Sequence, residues 1–354
     1  MKMYRQKLLF TSLLILLPYA VLGGCTCDEE EKQDHNRSEA LKYKLGAIAS
    51  ILFASLIGVC LPSLGKKIPA LSPENDFFFI IKAFAAGVIL ATGFIHVLPD
   101  AFASLTSPCL NENPWGNFPF SGFVAMVAAI GTLMVDVYAT SHYRKSARNS
   151  KNTVEASQSP IHTIHAATHG HGHGHGHGHA HGAVISIDGD SLSTELRYRV
   201  ISQVLELGII VHSVIIGIAL GASDSPKTIR PLVAALTFHQ FFEGIGLGGC
   251  IVQAKFKARA VTVMALLFSL TTPVGIAVGI GMANVYDENS PKALIVQGIF
   301  DSASAGILVY MALVDLLAAD FMNPRMHGNG KLQLGANASL LVGAGCMSLL
   351  AKWA

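Results

Sequence analysis

The sequence predicts an all-α integral membrane protein with eight transmembrane helices, an inverted repeat and a disordered His-rich cytoplasmic loop. Three observations support this fold class. Of the 354 residues, 51% are hydrophobic and only 14% are charged, whereas soluble domains carry about 25% charged residues. Eight apolar stretches each approach the ~20 residues that cross a bilayer as a helix. No alternating strand pattern accompanies them, so we expect helices rather than barrel strands.

Residues 1–23 are predicted to be a secretory signal peptide. Lys2, Arg5 and Lys7 form a basic region that precedes a short apolar run and small residues. An uncleaved signal anchor remains the alternative. Residues 24–43 then form an external N-terminal segment. The signal directs the chain into the secretory pathway, and we expect a multi-pass protein of the plasma membrane.

The spans are predicted near residues 44–64, 78–99, 119–140, 200–221, 231–250, 260–283, 293–318 and 334–353. Helices 1–3 thus occupy 44–140, and helices 4–8 occupy 200–354. Lysine and arginine concentrate in the loops on one side of these spans, including the long loop 141–199. The positive-inside rule assigns that side to the cytoplasm.

The loop 141–199 contains the run HGHGHGHGHGHAHG. Alternating glycines deny this segment a packed core, so it is expected to be disordered. Its imidazoles can bind a borderline metal ion such as Zn²⁺, and a solvated spacer is the alternative. The loop residues predicted to bind metal are His169, His171, His173, His175, His177, His179 and His181.

A weak internal repeat relates the second and seventh spans. Residues 85–102 align with residues 304–321, which pairs Gly87 with Gly306 and His96 with Asp315. Apolar composition alone is the alternative explanation. The predicted directions of the two spans are opposite, as an inverted-topology repeat requires.

The fourth and fifth spans carry ionisable side chains at mid-depth, where each costs roughly 2.5–3.5 kcal/mol on insertion scales. His239 and Glu243 are one turn apart on one helix face and can share a divalent first-row metal ion. His212 and Ser213 lie in the middle of the fourth span. We expect the GxxxG ridge of that span to pack on the glycine-rich fifth span, so that His212 faces His239 and Glu243. A satisfied polar network between the helices is the alternative interpretation.

Further polar groups are predicted to mark the two ends of a cation pathway. His96 and Asp100 form an external pair at its entrance, and Pro99 between them is expected to kink or end the helix. The predicted exit residues are Glu206, Asp136 and Asp315. Asp320 is interpreted as solvated. Cys25, Cys27 and Cys109 share the predicted external side, so the sequence leaves open both whether two of them form a disulfide and which two would pair.

Several motifs resemble the ZIP (Zrt/Irt-like) metal transporters, and most closely the plant zinc/iron-regulated members. These motifs are HVLPDAF, VLELGIIVHSVIIGIALG, HQFFEGIGLGGC, TTPVGIAVGIG, YMALVDLLAADF and AKWA. The resemblance implies eight spans, both termini external and uptake of Zn²⁺ or related ions into the cytosol. It implies metal coordination by His212, His239, Gln240 and Glu243, with Ser213 nearby, and roles for His96, Asp100 and Asp136.

Two departures from the family pattern bear on the metal. Many members carry a glutamate four residues after the fourth-span histidine, where this chain has Ile216, which favours one transported ion over a two-metal centre. Some iron-transporting relatives have an acidic residue shortly after HVLPD, whereas this chain has Phe102, Ala103 and Ser104, which favours zinc.

The functional hypothesis is therefore a zinc importer that works by alternating access, with no catalytic cofactor. The substrate is Zn²⁺, with Fe²⁺, Mn²⁺ and Cd²⁺ left open. The alternatives are broad-range iron, manganese and zinc uptake, or a metal sensor acting through the His-rich loop. An intramembrane metalloprotease is excluded by the absence of an HExxH motif. The expected partners are the lipid bilayer and divalent cations. A net charge of +2 with no basic stripe argues against nucleic acid, and a homodimer is left open.

Overall fold

The computed structural model describes residues 37–66, 75–156, 186–283, 290–322 and 328–352, with the isolated positions 68, 72 and 326. These residues form helices and turns, and no strand occurs among them. The predicted signal peptide and the seven predicted loop ligands from His169 to His181 lie outside the described residues.

The long helices are numbered in chain order. They are α1 (Arg37–Cys60), α2 (Asp76–Ala91), α3 (Leu98–Leu105), α4 (Phe120–Ala156), α5 (Ser186–Ala222), α6 (Pro226–Gln253), α7 (Ala258–Met282), α8 (Pro291–Tyr310) and α9 (Gly330–Ala351). A π-helical segment, Thr92–Val97, joins α2 to α3, and a second, Met311–Ala318, follows α8.

Seven stretches of the described chain are long and apolar enough to cross a membrane. They are Arg37–Gly65, Asp76–Leu105, Phe120–His142, Arg197–Ala222, Ala258–Met282, Pro291–Ala318 and Gly330–Ala351. The remaining predicted span falls on α6, a helix of 28 residues whose His239, Gln240 and Glu243 lower its hydropathy. The all-helical membrane class is confirmed, and the sequence-predicted positions of all eight spans coincide with helices.

The described helices pack as two groups. The first helix group contains α1, α5, α6 and α7, with extensive contacts between α1 and α6 and between α5 and α7. The second helix group contains α2–α3, α4, α8 and α9, in which α2 packs on α9 and α4 packs on α8. Contacts between the groups are fewer, and those of α2 with α6 and of α5 with α8 form much of the boundary.

The π-helical segments Thr92–Val97 and Met311–Ala318 occupy matching positions in the internal repeat. In the alignment of residues 85–102 with 304–321, Thr92 pairs with Met311, and each residue begins a π-helical segment. The paired glycines also have matching surroundings, because a Cβ at Gly87 would strike the Leu340 carbonyl of α9 and one at Gly306 would strike the Ala125 carbonyl of α4. Both observations support the predicted repeat.

The glycine ridge of the fourth span packs on a different helix from the one predicted. Gly217 and Gly221 lie against Gly275 and Gly279 of α7, not against α6. The reason is that both helices carry small residues four apart, so that their backbones can approach along matching faces. The glycines of α6 serve another contact, since Gly244 and Gly248 lie against the backbone of α1.

Three predicted boundaries also change. Helix α1 begins at Arg37, within the segment predicted to be external and polar. Helix α4 continues to Ala156 and α5 begins at Ser186, so helix occupies both ends of the predicted loop 141–199. One reason is local pairing on the polar turns, since Arg199 donates a 2.7 Å bond to Glu195 one turn earlier.

The helix of the second span does not end at Pro99. The Leu98 N–H bonds to the Gly93 carbonyl, five residues earlier, and the chain continues as α3 to Leu105. Proline is tolerated there because it occupies the first turn of α3, where its missing N–H leaves no bond unmade.

Cys109 is disulfide-bonded, whereas Cys60, Cys250 and Cys346 are free thiols. The disulfide partner of Cys109 is therefore not among the described residues. Cys109 follows α3, at the end of the bundle that the charge pattern predicts to be external.

Candidate metal centre

Three buried histidines meet at the boundary between the two helix groups. His212 of α5 and His239 of α6 have ring centroids 5.8 Å apart. His96 approaches from the π-helical segment of the second group, with its ring centroid 6.0 Å from that of His239. Their side chains are almost fully enclosed, with exposed fractions of 4% for His96, 1% for His212 and 0% for His239. His239 thus lies between imidazoles from opposite helix groups.

Glu243 lies one turn after His239 on α6 and is fully buried. Among the described residues, neither of its carboxylate oxygens has a hydrogen-bond partner, and the same is true of both ring nitrogens of His212. Ser213 Oγ and Gln240 Nε2 are also buried without a hydrogen-bond partner among the described residues. Buried polar groups are normally hydrogen-bonded, so this concentration of unpartnered atoms indicates a polar ligand.

The spacing of the histidine rings is close to that of a zinc site. With Zn–N bonds of about 2.0–2.1 Å, two imidazoles on one tetrahedral ion have ring centroids about 5 Å apart. The observed separations of 5.8 and 6.0 Å exceed this by about 1 Å or less. Within the described residues, no three His, Cys, Asp or Glu side chains are already arranged around one point, so coordination requires small inward rotations of the rings.

The centre has polar groups on both sides along the bundle. Asp100, on α3, is exposed at the end predicted to be external. Toward the other end, the Tyr310 hydroxyl donates a 3.3 Å hydrogen bond to Asp136, and Asp315 is buried close enough to Asp136 for the carboxylates to interact. The structure therefore brings Asp136 and Asp315 together. Glu206 is also buried and lies on α5 about 9 Å from His212 along the helix axis.

Comparison with known proteins identifies the family of this chain. The model of the ZIP zinc transporter family matches residues 41–351. The chain belongs to this family.

Curated relatives cover nearly the whole chain. Zinc transporter 5 of Oryza sativa subsp. japonica is 55% identical over 351 residues, covering 98% of this chain and 97% of the relative. Zinc transporter 3 of Arabidopsis thaliana is 54% identical over 333 residues, covering 94% and 91%. Fe(2+) transport protein 1 of Oryza sativa subsp. japonica is 53% identical over 323 residues, covering 90% and 86%. This ZIP protein is accordingly a divalent-metal transporter and not an enzyme.

His96 has a different position in this ZIP protein from the one expected. The sequence predicts that it lies with Asp100 at the external entrance, yet its ring lies beside that of His239 and only Asp100 of the two is exposed. The physical reason is the π-helical segment, whose wider turn changes the helix face on which each following residue lies. His96 and Asp100 therefore lie at different depths of one path.

Ile216, the position at which many ZIP members carry a second carboxylate, has apolar surroundings. It packs against the buried cluster formed by Ala47, Ile51, Leu220, Leu236 and Ile276. An ion next to Ile216 would gain no ligand from that side chain.

Asp320 is not solvated, contrary to the prediction. Its carboxylate accepts a 2.9 Å ion-pair bond from Lys82, and the two side chains are 12% and 3% exposed. Lys82 also lies over the ring of Tyr198, 5.3 Å from its centroid. The cause is the packing of α2 against the end of the seventh span, which encloses both charges.

The sequence did not predict two kinds of buried polar residue that lie on α7 and α8. Asp301 of α8 is 5% exposed and interacts with Asp100. Ser269 and Thr272 of α7 and Ser304 of α8 are buried, with hydroxyls that lack a partner among the described residues. Asp301 had a usable signal, since it is one of two acidic residues in the seventh span. The hydroxyl residues had none, because serine and threonine are common in membrane helices.

Proposed function

We propose that this ZIP protein imports Zn²⁺ into the cytosol by alternating access through the central His/Glu centre. His96, His212, His239 and Glu243 supply the ligands, with Ser213 and Gln240 beside them. The observation that carries this proposal is the group of buried, unpartnered side chains that meets at the boundary between the two helix groups. Such a boundary can open on either side when one group rocks against the other.

The direction of transport follows from the polar groups along the path. A hydrated cation is captured at the Asp100 end, and water is exchanged for imidazole and carboxylate as it reaches the centre. Movement of the helix groups then exposes the ion toward Glu206, Asp136 and Asp315. Protonation of the ligands assists release, because metal binding needs neutral histidine and ionised glutamate.

Zinc is favoured as the substrate by the nature of the ligands. Three imidazoles and one carboxylate form a tetrahedral set typical of zinc. Relatives at similar identity include zinc transporters and an Fe(2+) transport protein, so broad-range uptake of iron, manganese and zinc is the second candidate function. The apolar surroundings of Ile216 favour a single transported ion at the centre.

The remaining assignments extend the same proposal. The signal peptide directs the protein to the plasma membrane, with both termini external. The histidines from His169 to His181 buffer or sense cytosolic metal beside the transport path, and a homodimer remains open.

The test is uptake of radioactive zinc in cells that lack their own zinc importer. We expect saturable zinc uptake that an excess of unlabelled zinc suppresses more strongly than equal concentrations of Fe²⁺ or Mn²⁺. A pH series should show weaker uptake in acid medium, because protons compete with the metal ion for its ligands. Uptake no greater than that of empty cells, with the protein present at the surface, would contradict the proposal.

A further inference from the structure

A second acidic residue accompanies Asp100 where α3 packs against α8. Asp301 is 5% exposed, whereas Asp100 is exposed, and the two carboxylates are close enough to repel each other when both are ionised. Gln297, one turn before Asp301, donates a hydrogen bond to it. In the part of the chain that the structure describes, no lysine or arginine forms an ion pair with either carboxylate.

The contacts on either side of this pair fix its position. A Cβ at Gly298 would strike the side chains of Leu105 and Ser104. In the other direction, a Cβ at Gly93 would lie 3.1 Å from the Val309 side chain. These two contacts bracket Asp301 and Asp100 on antiparallel helices. The packing of α3 and the π-helical segment before it on α8 therefore places the two carboxylates near each other.

Two unpartnered polar groups continue inward from the pair. His96 lies four residues before Asp100, within the π-helical segment, and Ser304 lies three residues after Asp301 on the same face of α8. Both are more than nine-tenths buried, at 4% and 0% exposure. Among the described residues, His96 Nε2 and Ser304 Oγ have no hydrogen-bond partner. Since the His96 ring is 6.0 Å from that of His239, these groups connect the acidic pair with the central histidines.

We infer that Asp100 and Asp301 together form an outer binding site for a divalent metal ion. Two carboxylates match the double charge of the ion and are ligands that hydrated divalent cations accept. Asp100 meets the ion at the surface, Asp301 holds it at the buried end, and His96 receives it from there. This inference rests on the proposed function and adds Asp301 to the path.

The test compares zinc uptake by Asp301→Asn, Asp100→Asn and the double variant at matched surface abundance. Each single variant should raise the zinc concentration for half-maximal uptake about tenfold, the lower end of electrostatic capture effects, with the maximal rate retained. Asp301→Glu, which keeps the charge, should restore most of the affinity. The double variant should show less than the product of the two single effects, because both carboxylates act on one ion.

Glu112→Gln is the matched control, since Glu112 is an exposed carboxylate of the same predicted outer side away from the path. It should leave the half-saturating concentration unchanged. Asp301→Ser provides a second way to remove the charge if the asparagine variant does not reach the surface, because Ser302 and Ser304 are already buried on α8.

An unchanged half-saturating concentration in these charge-removing variants, or a loss confined to the maximal rate, would overturn the outer site. Glu243→Ala measured in parallel separates this result from failure of the proposed function. If Glu243→Ala abolishes uptake while Asp301 variants saturate normally, only the outer site is wrong. If Glu243→Ala transports normally, the central pathway itself is wrong.

Discussion

At the scale of single residues, His96 connects the two helix groups. It belongs to the second helix group, yet its ring lies 6.0 Å from that of His239 in the first. A ligand set drawn from both groups changes whenever the groups move relative to each other. His96 is therefore suited to bind the ion in one state and release it in another.

We predict that His96→Ala and His212→Ala each reduce the maximal rate of zinc uptake. Loss of a ligand should cost about tenfold or more, since even residues that only support a ligand typically cost 10–100-fold in affinity or activity. Concentration series of zinc uptake at equal surface abundance provide the measurement. If the maximal rate stays normal and only the half-saturating zinc concentration rises, His96 acts at the external entrance and is not a ligand of the central site.

The sequence contained much of the central site. His239 and Glu243 fall on one helix face by their spacing, and the pairing of His212 with His239 followed from two adjacent polar spans. The position of His96 could not be predicted, because it depends on a π-helical turn that changes the helix face after Thr92. Asp301 was not predicted, because it stands out only through its proximity to Asp100 on another helix. Hydropathy carries no information about which helices are neighbours.

At the scale of helices, small residues decide which spans pack together. Gly217 and Gly221 pack on Gly275 and Gly279, which leaves the opposite part of α5 free to turn His212 toward α6. The sequence predicted the span positions well, because bilayer thickness imposes the length of every span. It did not predict this partner, since several spans carry glycines at similar spacing and only three-dimensional packing chooses among them.

Gly279→Ala should destabilise the first helix group. A Cβ at this position would strike the Ile218 carbonyl of α5, and overpacking of this kind typically costs 1–3 kcal/mol. Gly281→Ala is the matched control, because nothing lies within 4 Å of its added Cβ. The melting temperatures of the purified variants in detergent provide the measurement, and equal values for the two variants would contradict the assigned helix contact.

The buried Lys82–Asp320 pair should behave differently from a surface pair. Lys82→Met or Asp320→Leu alone leaves an uncompensated buried charge, which typically costs 3–5 kcal/mol. The double variant should recover most of that stability, because neither charge remains. Thermal unfolding of the three variants measures the coupling. Breaking the exposed Arg230–Glu39 pair, whose side chains are 57% and 39% exposed, should cost at most about 1 kcal/mol, and a similar cost at both pairs would refute the distinction.

At the scale of the whole molecule, two groups of packed helices meet at one buried polar centre. Matching π-helical segments begin at Thr92 and Met311, and both belong to the second helix group. The repeat was visible in the sequence as a faint alignment, but the repeated distortion was not, since no residue type specifies a π-helical turn.

Deletion of residues 162–181 should leave zinc uptake intact while changing how uptake responds to cytosolic zinc. The reason is that the central ligands come from α5, α6 and the second span, none of which includes this segment. Zinc uptake is measured at several levels of zinc preloading. Complete loss of transport, at normal surface abundance, would instead support the alternative in which the loop is the functional part.

The central claim is that zinc crosses the membrane through the His/Glu centre. Glu243→Ala tests it most directly, because Glu243 is fully buried and both carboxylate oxygens lack a partner among the described residues. Initial rates of radioactive zinc uptake are measured at a surface abundance equal to that of the unmodified protein. We expect uptake to fall to the level of cells without the transporter. Uptake that persists at the unmodified rate would contradict the central site.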